Sequence, residues 1–474
     1  MLGIFFIGAI VISLLIFLVN RRGLTTVLSY VFLASEMGIS IYAALNINTV
    51  DTRYYSFDAL GVLFMMVLAI LSIATFYHSR LYLIRHSFTR RQESIYYAAL
   101  IMLIAAMTSA YFAENIALMW VSIEATTLFV SVLIIHERTK EAIEASWKYL
   151  FISSVGVALA FMGILFLSIV ATKGGLSDLS LRNLLTIAQE MDTNWLKIAF
   201  LLVITGFSAK MGLFPLHTVA VDAHTVAPPP ISAFISTTLM NVGFIGIFRV
   251  FTIIAQTEVL QWAQHVLLIA GILSIAMSAI QLLRIRHFKR MFAFSSLEHM
   301  GLVAIGLAIG GMGYYAAILQ IVFHSFAKSS LFYQIGQVHS IYKSYWVKDI
   351  GKYFKVNPAG GFALLFAFIS ITAMPPSGLF ISELILIKAM FAGGYAVIAI
   401  IILLLLTVVI FVFGKHLFSL LYGETDSTVN VSKIKLNPYE TISQYVLLGL
   451  VVYLGVAPPA YFTDLVHQAI AILN

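Results

Sequence analysis

The chain has 474 residues, of which 61% are hydrophobic and 10% charged, with a formal charge of +7 and no cysteine. Ordinary soluble domains run at roughly 45–50% apolar and about 25% charged residues, so a soluble enzyme is excluded. Lacking cysteine, the chain builds no disulfide, thiolate zinc site or cysteine-ligated iron–sulfur cluster, and any redox chemistry belongs to a partner.

In chain order, apolar runs fall at 3–19, 24–45, 59–77, 94–112, 115–135, 147–170, 195–214, 229–251, 263–283, 292–309, 314–339, 361–390, 396–418 and 441–460. A helix needs about 20 apolar residues to cross a hydrocarbon core roughly 30 Å thick, so these runs predict an all-α polytopic membrane protein of about 14 transmembrane helices. The first run has no positive charge before it and Arg21 and Arg22 after it, the reverse of a secretory signal, so it is expected to stay as the first span.

The basic residues set the orientation. With the amino terminus outside, the inward loops hold Arg21, Arg22, Arg80, Arg85, Arg90, Arg91, Arg138, Lys140, Lys148, Arg284, Arg286, Lys289, Arg290, Lys343, Lys348, Lys352, Lys355, Lys433 and Lys435, which is 19 of 28. The outward side holds five: Arg53, Lys173, Arg182, Lys197 and Arg249. Inward loops of membrane proteins carry this excess, so both ends are expected outside and the positive charge needs no nucleic-acid partner. Hydrophilic segments stay below about 25 residues, too short for an extramembrane domain that folds alone, so the function lies in the bilayer.

Four spans carry ionisable residues at their interiors. Glu124 sits in MWVSIEATTLFV, Lys210 in GFSAKMGLFPLH, His324 and Lys328 four apart in VFHSFAKSSLF, and Glu383 after a break in AMPPSGLFISELILIK. A charge at the centre of a membrane helix costs about 2.5–3.5 kcal/mol, so each needs a reason. One such group is explained by pairing with a neighbour across two helices. Five such residues spread over four spans fit a proton relay better, since apolar packing serves structure as well as buried ion pairs do. A Glu124 carboxylate about 7 Å from the Lys210 ammonium would interact by roughly 2.4 kcal/mol at an effective dielectric near 20, so the proton affinity of Lys210 would follow the charge and position of Glu124.

Pro215, the Pro228–Pro230 run and Pro375-Pro376 interrupt apolar segments, and irregular backbone at membrane depth survives only inside protein or beside water. GLFPLH and GLFISE each place a polar residue, His217 or Glu383, five positions after a glycine, a hint of an internal repeat. Other polar residues have two readings each. Glu298 and His299 line an aqueous path or cap a helix; His217, Asp222 and His224 take up protons or serve ordinary loop hydrogen bonds. Glu144 and Lys148 read as a surface pair one turn apart, and Glu36, Asp58, Lys388 and Lys415 as snorkelling or locally paired groups. There is no HExxH, no phosphate-cradling glycine loop and no GxSxG, so no catalytic, cofactor-binding or metal residues are assigned.

MWVSIEATTLFVSVLI, EASWKYLFISSVG, GFSAKMGLFPLHTVAVDAHTVAPPPISAFIS, FAFSSLEHMGL and FHSFAKSSLF resemble the antiporter-like membrane subunits shared by respiratory complex I, Mrp cation/proton antiporters and membrane-bound nickel–iron hydrogenases. The resemblance covers roughly residues 60–420, and IEATTL, EASWKY and SSLEHMG are most similar to the F-type subunit of the hydrogenase-4 and formate hydrogenlyase group.

The resemblance implies two inverted five-helix repeats with broken helices. It divides the chain into an N-terminal three-helix segment (1–93), a first repeat (94–251), a second repeat (263–418) and a C-terminal loop and last helix (419–474). It implies a relay in which Glu124 works with Lys210, while Lys328 and Glu383 form the outlet. Asn241, in TTLMNVGF, stands where many relatives have a Lys or His, so water would carry the axis there. The chain also ends soon after its last span, where some relatives continue into a lateral arm.

The implied function is proton translocation in a multisubunit respiratory complex of a bacterial or archaeal cytoplasmic membrane. Nickel–iron, iron–sulfur or flavin centres would reside in a peripheral redox arm, and the direct partners would be other membrane subunits and lipid. The alternatives are a cation/proton antiporter subunit, a subunit coupling energy to bicarbonate uptake, and a scaffold whose charges only join helices.

Overall fold

The computed structural model describes residues 1–86, 88–176, 178–424 and 437–473; Lys433 and Lys435, counted above among the inward charges, lie outside them. The helices in chain order are α1 (Leu2–Val19), α2 (Arg22–Leu45), α3 (Ala59–His86), α4 (Arg90–Phe112), α5 (Ile116–Ile134), α6 (Lys140–Lys173), α7 (Leu181–Thr186), α8 (Thr193–Met211), α9 (Thr218–Val226) and α10 (Pro229–Phe234). They continue with α11 (Met240–Ala255), α12 (Leu260–Leu282), α13 (Phe288–Ile309), α14 (Met312–Tyr342), α15 (Tyr353–Val356), α16 (Pro358–Ile371), α17 (Gly378–Ala392), α18 (Ala396–Tyr422), α19 (Ile442–Val456) and α20 (Ala460–Ile470). A two-stranded hairpin, Val50–Thr52 with Tyr55–Ser56, joins α2 to α3.

Among the described residues, twelve helical stretches are long and apolar enough to cross a membrane. The other two apolar runs read from the sequence, 314–339 and 361–390, fall on α14, which has 31 residues, and on the pair α16 and α17. The chain is a multi-pass helical membrane protein. Leucine, isoleucine, valine and phenylalanine side chains are exposed along α1, α6 and α18, as lipid-facing surfaces require.

Local chemistry sets the helix ends. Thr89 and Gln92 form a reciprocal capping box at α4, with Gln92 N donating to Thr89 Oγ1 at 3.3 Å and Thr89 N donating to Gln92 Oε1 at 3.0 Å. Asn115 caps α5 and Asp192 caps α8, each accepting from two backbone N–H groups. Gly212 closes α8 with φ +74, a left-handed residue that glycine adopts freely. The proline run behaves otherwise than a simple break: Pro229 opens α10, since a proline is tolerated in the first helical turn. The helix then passes through a π-helical segment, Ile235–Leu239, into α11. Between α16 and α17, Pro375 and Pro376 stop the helix, and Ser377 restarts it by accepting from Leu379 N at 3.1 Å.

The described chain packs as two compact units. The first comprises 1–228, 238–266 and 464–474, the second 229–237 and 267–463. In the first, α8 is held against α6 and α11 by glycines where backbones nearly touch. A Cβ on Gly206 would lie 2.4 Å from Gly156 O, and one on Gly243 would lie 2.4 Å from Met211 N. Small residues allow this approach in membrane helices. The second unit uses the same device, with a Cβ on Gly271 meeting Gly301 O at 2.7 Å and one on Gly306 meeting Gly313 O at 2.7 Å.

Charges outside the spans pair much as expected. Lys148 and Glu144 make the one-turn ion pair at 2.5 Å, and Arg22 meets Glu93 at 2.6 Å. Arg249, counted above on the outward side, is sealed within the protein. It is 2% exposed within α11, with Nη2 donating to Tyr111 O at 2.5 Å and lying 3.4 Å from each Asp58 carboxylate oxygen. A buried guanidinium is kept there by paired acceptors rather than by solvent.

One loop residue gives a pH-dependent expectation. His287 caps α13, its Nδ1 accepting from Arg290 N at 3.4 Å, and burial together with Lys289 and Arg290 holds its pKa down to about 4 from 6.5. The folded state therefore binds fewer protons than the unfolded chain, so this contribution is complete above pH 6.5 and is lost as pH falls through about 4. Hydrogen exchange of residues 284–291 is expected to accelerate over that window, and His287→Asn, which keeps a cap without titrating, to flatten the profile.

Candidate functional site

In the first unit, α5 carries Glu124, Thr126 and Thr127, α6 carries Tyr149 and Ser154, and α8 ends one residue after Lys210. The glycine contacts above bring α8 close enough for Lys210 to reach α5. Lys210 is 2% exposed, and its Nζ donates to Thr127 Oγ1 at 2.7 Å, to Tyr149 OH at 3.1 Å and to Thr126 Oγ1 at 3.5 Å. The same ammonium lies 5.1 Å from the centroid of the Tyr149 ring. Glu124 is half-buried; its Oε2 accepts from Thr127 Oγ1 at 3.1 Å and its Oε1 from Ser154 Oγ at 2.8 Å.

Lys210 and Glu124 thus meet through a hydroxyl. Thr127 accepts from the ammonium and donates to the carboxylate, using both capacities of its oxygen. Among the described residues the two charges make no direct ion pair within 4.0 Å. A bridged pair can be broken by one hydroxyl rotation, whereas a direct buried pair holds both charges fixed.

The second unit builds its site around an amide. On α14, Gln320, His324 and Lys328 recur every four residues and so share one helical face. Gln320 Nε2 donates to Glu383 Oε1 at 3.0 Å and lies 3.0 Å from His299 Nδ1, and Gln320 Oε1 accepts from Ser382 Oγ. His299 Nδ1 is 3.8 Å from Glu383 Oε1, and the His299 and His324 ring centroids are 5.1 Å apart. Lys328 is fully buried, its Nζ donating to Phe292 O on α13 at 2.9 Å. Glu298 is 4% exposed, and its Oε2 has no hydrogen-bond partner among the described residues.

Glu383 stands in the second turn of α17. It also borders a cavity of about 260 Å³ lined by Leu302, Thr372, Phe380 and Thr407. His217 and His224 are buried and Asp222 half-buried on the segment that follows α8, and Asn241 is fully buried directly after the π-helical turn.

The structure therefore brings Glu124 and Lys210 into one hydrogen-bonded set and joins His299 to Glu383 through Gln320 in another, with the His324 ring against His299, Lys328 further along the same face of α14 and Glu298 next to His299 on α13. Four groups escaped the sequence reading: Thr127, Tyr149, Ser154 and Gln320. Gln320 had a signal, since it lies one turn before His324 and two before Lys328. Thr127 follows Glu124 by three residues, a spacing that puts both on one helix face.

The chain's relatives agree with this architecture. The family model described as NADH:quinone oxidoreductase/Mrp antiporter, TM matches residues 113–411. A hydrogenase-4 component F homolog of Methylacidiphilum infernorum is 33% identical over 348 residues, covering 72% of this chain and 73% of that protein. Two solved complexes contain chains of the same fold. One is the membrane-bound sulfane sulfur reductase, an archaeal respiratory membrane complex (TM-score 0.86, 20% identity, 100% of this chain and 97% of that one). The other is the Mrp complex from Dietzia sp. DQ12-45-1b (TM-score 0.85, 15% identity, 100% and 97%).

The hydroxyl bridge has a measurable consequence. Thr127→Val keeps the shape of the side chain and removes the bridge, and a hydrogen bond to a charged group contributes about 1.5–3 kcal/mol. Coupling between residues 124 and 210, measured by a double-mutant cycle on thermal stability in detergent, is expected to collapse in the Thr127→Val background; undiminished coupling would show that the charges interact without the hydroxyl.

Proposed function

The chain belongs to the NADH:quinone oxidoreductase/Mrp antiporter transmembrane family, and on that premise we propose that it is the proton-translocating membrane subunit of a hydrogenase-4-like or complex I-like respiratory assembly. The observation that carries this reading is the bridged set Glu124–Thr127–Lys210: a buried ammonium held by hydroxyls, with a carboxylate one oxygen away, holds or yields a proton as the carboxylate charges or moves.

In the proposed mechanism Glu124 sets the charge next to Lys210, and Lys210 passes its proton on when that charge is neutralised or withdrawn. His217, Asp222 and His224 supply protons from the short α9 segment, and Asn241 orders water on the axis. In the second unit Lys328, His324, Glu298 and His299 carry the proton to Glu383. Gln320 orients the last step, donating to the carboxylate while its oxygen is fixed by Ser382. The cavity beside Glu383 supports its place at the outlet. Residues 94–251 and 263–418 act as the two repeats of this device, 1–93 and 419–474 as its flanks.

Electrons stay outside the chain in this reading. Nickel–iron, iron–sulfur or flavin centres belong to a peripheral arm, reached through neighbouring membrane subunits. The membrane is the bacterial or archaeal cytoplasmic membrane with both termini outside, an orientation supported by the basic inward loops. Cation/proton exchange is the second reading, supported by the fold shared with the Mrp complex.

Glu124→Gln and Lys210→Ala are each expected to lower proton pumping by the assembled complex by at least about tenfold, the equivalent of roughly 1.4 kcal/mol in a barrier. Dye-reported acidification in proteoliposomes measures this, with assembly yield scored in parallel. Intact pumping defeats the relay, and lost assembly with normal transport per complex identifies a scaffold. Sodium-dependent transport without an electron donor selects the antiporter.

A further inference from the structure

Glu36 belongs to neither set of groups, and its surroundings differ from what its sequence position suggests. It lies on α2, 14 residues from Arg22 and 9 from Leu45, hence near mid-membrane at a rise of about 1.5 Å per residue. It does not snorkel to a membrane surface, being 0% exposed. Its Oε1 accepts from Ser72 Oγ on α3 at 2.7 Å, while its Oε2 has no hydrogen-bond partner and the side chain no ion-pair partner among the described residues. An ionised carboxylate without a cation is among the costliest groups to bury, so a carboxyl kept here is suited to holding a proton.

A buried polar stripe leads away from it. Ser72, Thr75, Ser79 and Tyr82 recur at three- and four-residue intervals on one face of α3, each at most 6% exposed. Toward the inward end, Ser79 Oγ lies 2.8 Å from Tyr96 OH on α4, and Tyr82 OH donates to Glu137, in the turn that follows α5. Apolar residues would pack α3 as well, and hydroxyls at every turn are what a proton wire uses. Beside the stripe, a groove of about 600 Å³ lined by Ser29, Leu33, Tyr77 and Arg80 borders α2 within one turn of Glu36. It adjoins a second cavity of about 390 Å³ lined by Arg22, Arg80 and Glu93, charged groups that keep its mouth wet. Ser29 Oγ is also buried and has no hydrogen-bond partner among the described residues, two turns along α2 from Glu36.

We propose that Glu36 is a second protonation site, loaded from the inward surface along the Ser72–Thr75–Ser79–Tyr82 stripe, so that the N-terminal helices form a proton inlet separate from the Glu124–Lys210 set. The inlet rests on the reading of the chain as a proton carrier; the protonation of Glu36 does not. Transfer along the stripe is proton hopping between hydroxyls and water, with each oxygen releasing one proton as it accepts another, so no oxidant or co-reactant is needed.

The test uses the assembled complex in proteoliposomes with two readouts. The first is infrared absorption of a protonated carboxylic acid after transfer to D₂O. Wild type is expected to show an exchangeable band that Glu36→Gln removes, that Lys210→Ala retains, and whose exchange Thr75→Val slows at least fivefold. The second is proton pumping, expected to fall at least fivefold in Glu36→Gln, to fall in Thr75→Val, and to recover in Glu36→Asp. A Glu36→Gln spectrum that loses no carboxylic band relative to wild type, or a lost band that fails to exchange in wild type, overturns the site, since bands from Glu298 and Glu383 are common to both. A Glu36→Gln complex that folds and pumps at the wild-type rate overturns the inlet. Should Glu36→Gln fail to assemble, Thr75→Val decides, because it leaves the carboxyl in place: unchanged exchange and unchanged pumping overturn the proposal. Absence of pumping in every variant and in wild type would defeat the proposed function while the infrared result still decides Glu36.

Discussion

The buried ammonium of Lys210 is the constraint around which the first unit is arranged. An uncompensated charge at this depth is prohibitive, and the usual answer, a carboxylate in contact, would pin the proton in place. The chain answers with hydroxyls instead. Thr126, Thr127 and Tyr149 supply oxygen on three sides, and the carboxylate stands one hydroxyl further out. That arrangement needs α5, α6 and α8 at close quarters. The glycines at 156 and 206 follow from the need, as does Gly243, which lets α11 lie against the α8 backbone at Lys210 and Met211.

The second unit meets the same constraint with other parts. Lys328 is satisfied by a main-chain carbonyl, and the acidic end of the site is organised by Gln320, an uncharged group that donates to Glu383 and accepts from Ser382. An amide suits this position because it fixes geometry without adding a charge that would itself require burial. Both units therefore use neutral polar groups to hold ionisable ones.

Much of this was legible in the chain. The fourteen apolar runs all fall on helices, because hydrophobic length is a signal that tertiary context rarely overrides in a membrane protein. The five ionisable residues singled out within spans were legible for the converse reason: charge is rare in such segments and conspicuous where it occurs. What stayed hidden was the neutral polar support. Threonine and serine are ordinary in membrane helices, where they bond their own backbone, so the spacing in IEATTL puts Thr127 on the face of Glu124 without marking it as a bridge. For Glu36 the sequence left snorkelling and local pairing side by side, because its neighbours on α3 became visible only in the packed structure. The burial of Arg249 was hidden in the same way: a span end in the sequence became, in three dimensions, a sealed position behind Tyr111 and Asp58.

The glycine contacts between helices carry a mechanical consequence. Where a Cβ would fall within 3 Å of a neighbouring backbone on α6 and α11, there is no slack for α8 to tilt or slide without separating the surfaces altogether. In the proposed function, a carrier built on such joints would work without the rocking of bundles that moves larger cargo across a bilayer. Its moving parts would be torsions of lysine, threonine and glutamate side chains, which turn over far faster than helices rearrange. The pace of turnover would then be set by hydration and by the neighbouring charge, and the scaffold would act as a rigid frame within which only the proton travels.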